Sequence, residues 1–231
     1  MLLFDPPAPT LAPTTSPDRL FPVRRVICVG RNYAAHAREM GSDPDREPPF
    51  FFTKWAETIV PSGAQVAYPP GTQDFQFEAE LVIAIGKGGA DIAAADALGH
   101  VYGYATGLDM TRRDLQMIAR GSGRPWDAGK NFAQAAPLGL IHPVAECGHP
   151  GAGAITLTVN GETRQSADLA DLIWPAADII AFASALWPLQ PGDLIYTGTP
   201  AGVGPVAIGD RLVVSIDGLT DTVVTIGPPA A

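Results

Sequence analysis

The sequence is poor in cysteine, in basic residues and in long apolar runs, and each shortage excludes something. Two cysteines, Cys28 and Cys147, in 231 residues make no disulfide framework. A reducing cytoplasm is therefore the expected setting. Lys and Arg number 15 against 24 Asp and Glu, for a net charge of -9. A surface of that sign is repelled by nucleic acid and by anionic membranes, so neither is expected as a partner. If the substrate is itself an anion, positive charge must be concentrated locally at its site. The start, Met1-Leu2-Leu3-Phe4-Asp5, carries no basic segment, and no later stretch reaches membrane-spanning length, so neither targeting nor anchoring is expected. Internal repeats are also missing. So is a phosphate cradle: the loop Gly198 to Gly204 lacks a Gly-Lys-Ser/Thr ending and runs into Pro205, which argues against a nucleotide cofactor.

What the chain does have is turn formers, with 25 Gly, 23 Pro and a 46% hydrophobic share. That mixture builds many short strands joined by turns, and the length suits one large domain. Residues 5 to 22 hold six prolines and read as an extended N-terminal arm, so the expected division is 1–20 as arm and 21–231 as a single domain. Strands are expected over Arg24 to Val29, Phe50 to Thr53, Val101 to Leu108 and Leu194 to Thr197. Hairpins turn at Asn160-Gly161 and Asp217-Gly218. Helices are expected from Tyr33 to Met40 behind an Asn32 cap, from Ala90 to Leu98, from Met110 to Arg120, and within Ala170 to Leu186. Strands and helices do not alternate regularly, so the fold class is α+β, mainly β: a curled mixed sheet or barrel with short flanking helices.

The most informative stretch is Asp74 to Gly86, DFQFEAELVIAIG. Phe75, Phe77, Ala79, Leu81, Ile83 and Ile85 alternate onto one face, leaving Gln76, Glu78, Glu80, Val82 and Ala84 on the other. Glu78 and Glu80 project side by side and repel each other unless water or a cation separates them. The run from Leu81 to Ile85 is apolar on both faces, which implies burial and favours a metal over a solvated face. Asp109 ends another strand; alone it would cap a helix, but with the two Glu it completes an oxygen-rich set suited to Mg²⁺ or Mn²⁺. His36 and Glu39 are three apart and would share a helix face. His100, His142 and His149 read as structural, Arg112-Arg113 as facing solvent or an interface, and Cys28 as a small buried apolar residue.

Six stretches in one order, VGRNYAAHAREM, FFTK, FEAELVIAIG, GYATGLDMTRRDLQ, GRPWDAGKNF and LQPGDLIYTGTPAGVG, resemble the fumarylacetoacetate hydrolase family in its short acylpyruvase form. The resemblance covers nearly everything from Arg25 to Gly204. It implies the family's mixed β-roll, usually a homodimer, and a divalent metal, Mg²⁺ or Mn²⁺, on Glu78, Glu80 and Asp109. It implies a water-activating dyad of His36 and Glu39. Lys130 would contact the substrate's oxo-acid end, Gln116 and Thr199 would lie around the reacting carbonyl, and Arg31 and Lys54 near the pocket mouth. Trp55 departs from the family, where proline commonly follows that lysine. The implied activity is hydrolysis of the C–C bond of an acylpyruvate, a small anionic oxo-acid. Fumarylpyruvate is the expected substrate, because GRPWDAGKNF and PPFFFTK are similar to fumarylpyruvate hydrolases. Oxaloacetate decarboxylation, isomerase or decarboxylase steps on related dioic acids, and a non-catalytic metal- or solute-binding module are the alternatives. Retention of both His36 and Glu39 leans toward hydrolysis.

Overall fold

A computed structural model describes residues 2–35 and 48–230. Its centre is an eight-stranded mixed sheet. Phe50–Lys54 pairs with Arg25–Gly30, followed by Asp193–Tyr196, Ala79–Ile85, Val101–Leu108, Ala136–Leu138 and Ile59–Pro61, with His142–Pro143 as a further partner of Val101–Leu108. A five-stranded sheet (Glu162–Asp168, Ala154–Val159, Arg211–Ile216, Thr222–Gly227, Gln65–Ala67) packs against it. A small three-stranded sheet joins Thr111–Arg112, Phe75–Phe77 and Gly204–Pro205. Both hairpins expected from their Asn-Gly and Asp-Gly turns are present within the five-stranded sheet.

The two faces of Ala79–Ile85 show why it is central. Phe75, Phe77, Ala79, Leu81, Ile83 and Ile85 all enter one core, together with Ile155, Leu157, Leu212 and Val214 of the second sheet and Ile179, Ile180 and Ala183 of the helix Ala176–Leu186. Val82 and Ala84 enter a second core with Val26, Cys28, Leu194 and Tyr196. The period of two thus sorts one strand between two apolar layers, as the sequence pattern requires. Residues of the N-terminal arm belong to the second core: Leu11–Pro13 pairs with Leu20–Pro22, and Ala12 and Phe21 are buried in it. The division expected at residue 20 falls inside this strand pair.

Three expected elements differ. Asn32 does not use its side chain as a helix cap: it donates to the carbonyls of Trp174 and Thr197 at 2.9 and 2.8 Å and accepts from Trp174 N–H at 2.7 Å. The helix expected from Met110 begins at Arg113, because Thr111–Arg112 is drawn into a pairing with Gln76 and Phe75. The helix expected over Ala90 to Leu98 is only Ala94–Ala97. Most of the expected Tyr33 to Met40 helix lies outside the described residues.

Candidate active site

Register explains how acidic groups thirty residues apart meet. Ala79 lies opposite Leu108 and Glu80 opposite Gly107, and the ladder continues through a hydrogen bond from Asp109 N–H to the Glu78 carbonyl at 2.9 Å. Asp109 therefore stands across from Glu78, on the face that Glu80 shares one strand repeat away. All three side chains are buried, and one oxygen from each lies within 4.8 Å of the other two. Three hard carboxylate donors so placed fit a small divalent cation such as Mg²⁺ or Mn²⁺.

Cations surround this cluster. Lys130 Nζ donates to Glu78 Oε2 at 2.7 Å, Asp109 Oδ2 at 2.9 Å and Thr111 Oγ1 at 2.7 Å, which uses its three protons. Burial works against its charge, yet Asp109 and Glu78 outweigh that and hold the ammonium above its ordinary range. Lys54, expected near the pocket mouth, is instead buried behind the site. Its Nζ lies 2.8 Å from Asp109 Oδ1 and donates to the carbonyls of Met110 and Lys130. Asp109 sits opposite Lys54 in the protein interior, so an ammonium there is held by charge rather than water. Arg113 is a correction to the expectation that the Arg112-Arg113 pair faces solvent or an interface. It is buried, donating to Glu78 Oε1 at 2.5 Å, to Gln116 Oε1 at 2.5 Å and to Gln76 Oε1 at 2.9 Å. The helix Arg113–Gly121 turns Arg113, Gln116 and Ala119 inward and leaves Met117 and Ile118 exposed, a reversal driven by the carboxylates it faces.

Glu80 is bonded differently. Its Oε2 accepts from Gly198 N–H at 2.8 Å. Burial, then the neighbouring charges of Asp109 and Glu78, push its carboxyl well above the usual range, against the pull of the Gly198 N–H and Lys130. A divalent ion among these oxygens would remove that penalty.

A narrow cleft opens over the cluster, lined by Arg31, Gln116, Thr199, Trp126, Glu80 and Lys130 among others. Gln116 Oε1 is taken by Arg113, so its amide N–H₂ is the group it offers the cleft. The Thr199 loop is fixed by close approach. Gly198 has φ +99°, and a Cβ there would lie 2.7 Å from the Cβ of Asn32; Gly202 has φ +94°, and its Cβ would lie 2.2 Å from the Arg164 carbonyl. Only glycine suits both places. Arg31 stands on the rim, 6.0 Å from the Trp126 ring centroid. His36 and Glu39 lie outside the described residues. The structure thus brings together Glu78, Glu80, Asp109, Lys130, Gln116, Thr199 and Arg31, with Lys54 one layer behind. Sequence reasoning missed Arg113, Thr111 and Gln165; for Arg113 the available signal was its place four residues after Asp109.

A family profile described as fumarylacetoacetate (FAA) hydrolase C-terminal matches residues 25–226. The chain belongs to the fumarylacetoacetate hydrolase family. Within that family it is 49% identical over 195 residues to a fumarylpyruvate hydrolase from a Ralstonia species, covering 82% of this chain and 99% of that protein. A crystal structure of a fumarylpyruvate hydrolase from Pseudomonas aeruginosa in complex with Mn²⁺ and pyruvate matches with TM-score 0.97 at 52% identity, covering 99% of this chain and all of that one. A mitochondrial oxaloacetate tautomerase from Arabidopsis thaliana is 38% identical over 197 residues, covering 85% of this chain and 88% of that protein. The fold is that of the family's solved structures, mainly β with few short helices.

Proposed function

We propose that the protein is a divalent-metal-dependent acylpyruvate hydrolase whose substrate is fumarylpyruvate, cleaved with water to fumarate and pyruvate. The observation that carries this reading is the buried Glu78, Glu80 and Asp109 cluster, ringed by Lys130, Lys54 and Arg113 beneath a cleft. Similarity to fumarylpyruvate hydrolases at about half identity supports the choice of substrate. Mg²⁺ or Mn²⁺ held by those carboxylates supplies positive charge for the oxygen on which charge develops as the C–C bond breaks.

The chain's own residues do the rest. His36 takes a proton from the water that attacks the acyl carbonyl, and Glu39 orients the imidazole and stabilises its charged form. The electron pair of the broken bond passes to the pyruvate fragment, whose carbon takes back a proton. Gln116 N–H₂ and the Thr199 hydroxyl donate to the oxyanion of the tetrahedral species. Lys130 adds charge at the oxo-acid end, and Arg31 on the rim takes part in substrate binding. Lys54 acts through Asp109. The proposed enzyme is a homodimer, as the family resemblance implies, and works in a reducing cytoplasm, in keeping with only two cysteines in 231 residues.

The enolised diketone of fumarylpyruvate absorbs in the ultraviolet, and that absorbance should bleach with enzyme and Mg²⁺ or Mn²⁺ and stop bleaching with chelator. Oxaloacetate consumption many-fold faster than fumarylpyruvate would overturn the substrate, and no turnover of either would leave a binding module.

A further inference from the structure

Gln165 lies in the hairpin strand Glu162–Asp168, outside the six stretches that carry the family resemblance, in a stretch whose neighbours are mostly exposed. It is nonetheless fully buried. Its amide spans two parts of the site. Oε1 accepts from Ala79 N–H at 2.9 Å, between Glu78 and Glu80, while Nε2 donates to Pro200 O and to Thr199 Oγ1, both at 2.8 Å. Ala79 N–H can only donate and the Pro200 carbonyl can only accept, so the amide has one possible orientation. Thr199 Oγ1 must then be an acceptor from Gln165, which leaves its own proton to be given elsewhere. Thr199 lines the cleft, so that proton is available to an acceptor there.

We propose that Gln165 is a positioning residue for the hydrolysis: it fixes the Thr199 hydroxyl as a donor into the cleft and ties the loop carrying it to the strand carrying the acidic cluster. The assignment rests on the Thr199 role given above. Packing agrees with it, since Gly202 closes the same loop directly against the Arg164 carbonyl. A hydroxyl held by one donor and aimed by it needs no reorganisation when charge appears, which is what such a group contributes to rate. An unaimed hydroxyl instead rotates toward the nearest carbonyl.

The test uses the Mn²⁺-loaded enzyme with fumarylpyruvate as substrate and oxalate as a competitive probe. Gln165→Met and Gln165→Leu keep bulk and lose both ends of the bridge; Thr199→Val removes the hydroxyl. Expected is a fall in kcat of about tenfold or more in each, with oxalate inhibition within about twofold of wild type. The Gln165→Met, Thr199→Val double variant should be no slower than Thr199→Val, because the two residues act as one unit. Wild-type kcat in either Gln165 variant that folds, an additive loss in the double variant, or a parallel loss of oxalate binding overturns the assignment. So does failure of both Gln165 variants to fold, which would make the residue structural. Unimpaired turnover of Thr199→Val removes the Thr199 role itself, and this assignment with it, whereas an impaired Thr199→Val beside unimpaired Gln165 variants removes only the assignment.

Discussion

Lys54 is the residue where sequence and structure part most sharply. A lysine after an aromatic strand reads as a pocket-mouth group, yet its ammonium is buried against Asp109 and two carbonyls. Removing one partner of a buried ion pair strands the other, at about 3–5 kcal/mol. Lys54→Met is therefore expected to destabilise the protein by that amount in urea unfolding and to abolish turnover, although Lys54 does not line the cleft. Glu80 makes the opposite prediction. Its carboxyl is raised, so the folded state binds that proton more tightly than the unfolded chain. Its contribution is fully present below the ordinary carboxylate range and is lost as pH rises through the elevated value. Thermal scans of chelated protein should accordingly show Tm falling with rising pH. Glu80→Gln should flatten that slope, and added Mn²⁺ should reverse it more strongly at higher pH, since the ion and the proton compete.

At the scale of elements, what could be read was whatever a period of two controls. The alternation in Asp74 to Gly86 placed six residues in one core and two in the other, and put Glu78 and Glu80 on one face. Strand partners were not readable. Thr111–Arg112 pairs with Phe75–Phe77, which delays the helix and turns Arg113 onto Glu78; helical periodicity alone sends an Arg-Arg pair to solvent. Gln165 is a single polar residue in an exposed hairpin, and only the approach of the Gly198–Gly204 loop gives it a task. That approach leads to a further expectation. Gly202→Ala places a Cβ 2.2 Å from the Arg164 carbonyl in a left-handed backbone, so the loop must shift. Turnover should drop about tenfold or more, as for loss of an oxyanion donor. Mn²⁺ affinity, measured by titration calorimetry, should fall less than turnover, because of the three carboxylates only Glu80 is bonded to this loop, through Gly198 N–H.

For the molecule as a whole, family and architecture were legible because ordered motifs span most of the chain, while the arm was not. Its prolines suggested an extended arm apart from the domain, yet Ala12 and Phe21 supply part of the second core. Deleting residues 1–22 should therefore lower stability, by about 1.5–3 kcal/mol for the loss of buried Phe21 alone, and Tm with it. A differential scan of the truncated protein would check it.

The strand that carries Glu80 is walled by apolar layers on both sides, and its end, at Glu78 and Glu80, meets the cleft. Its backbone amides from Leu81 to Ile85 should rank among the slowest to exchange with deuterium, with or without a bound ion. An enzyme built this way is expected to keep its fold through stripping and reconstitution, because the strand beneath the acidic cluster is held by its own apolar packing.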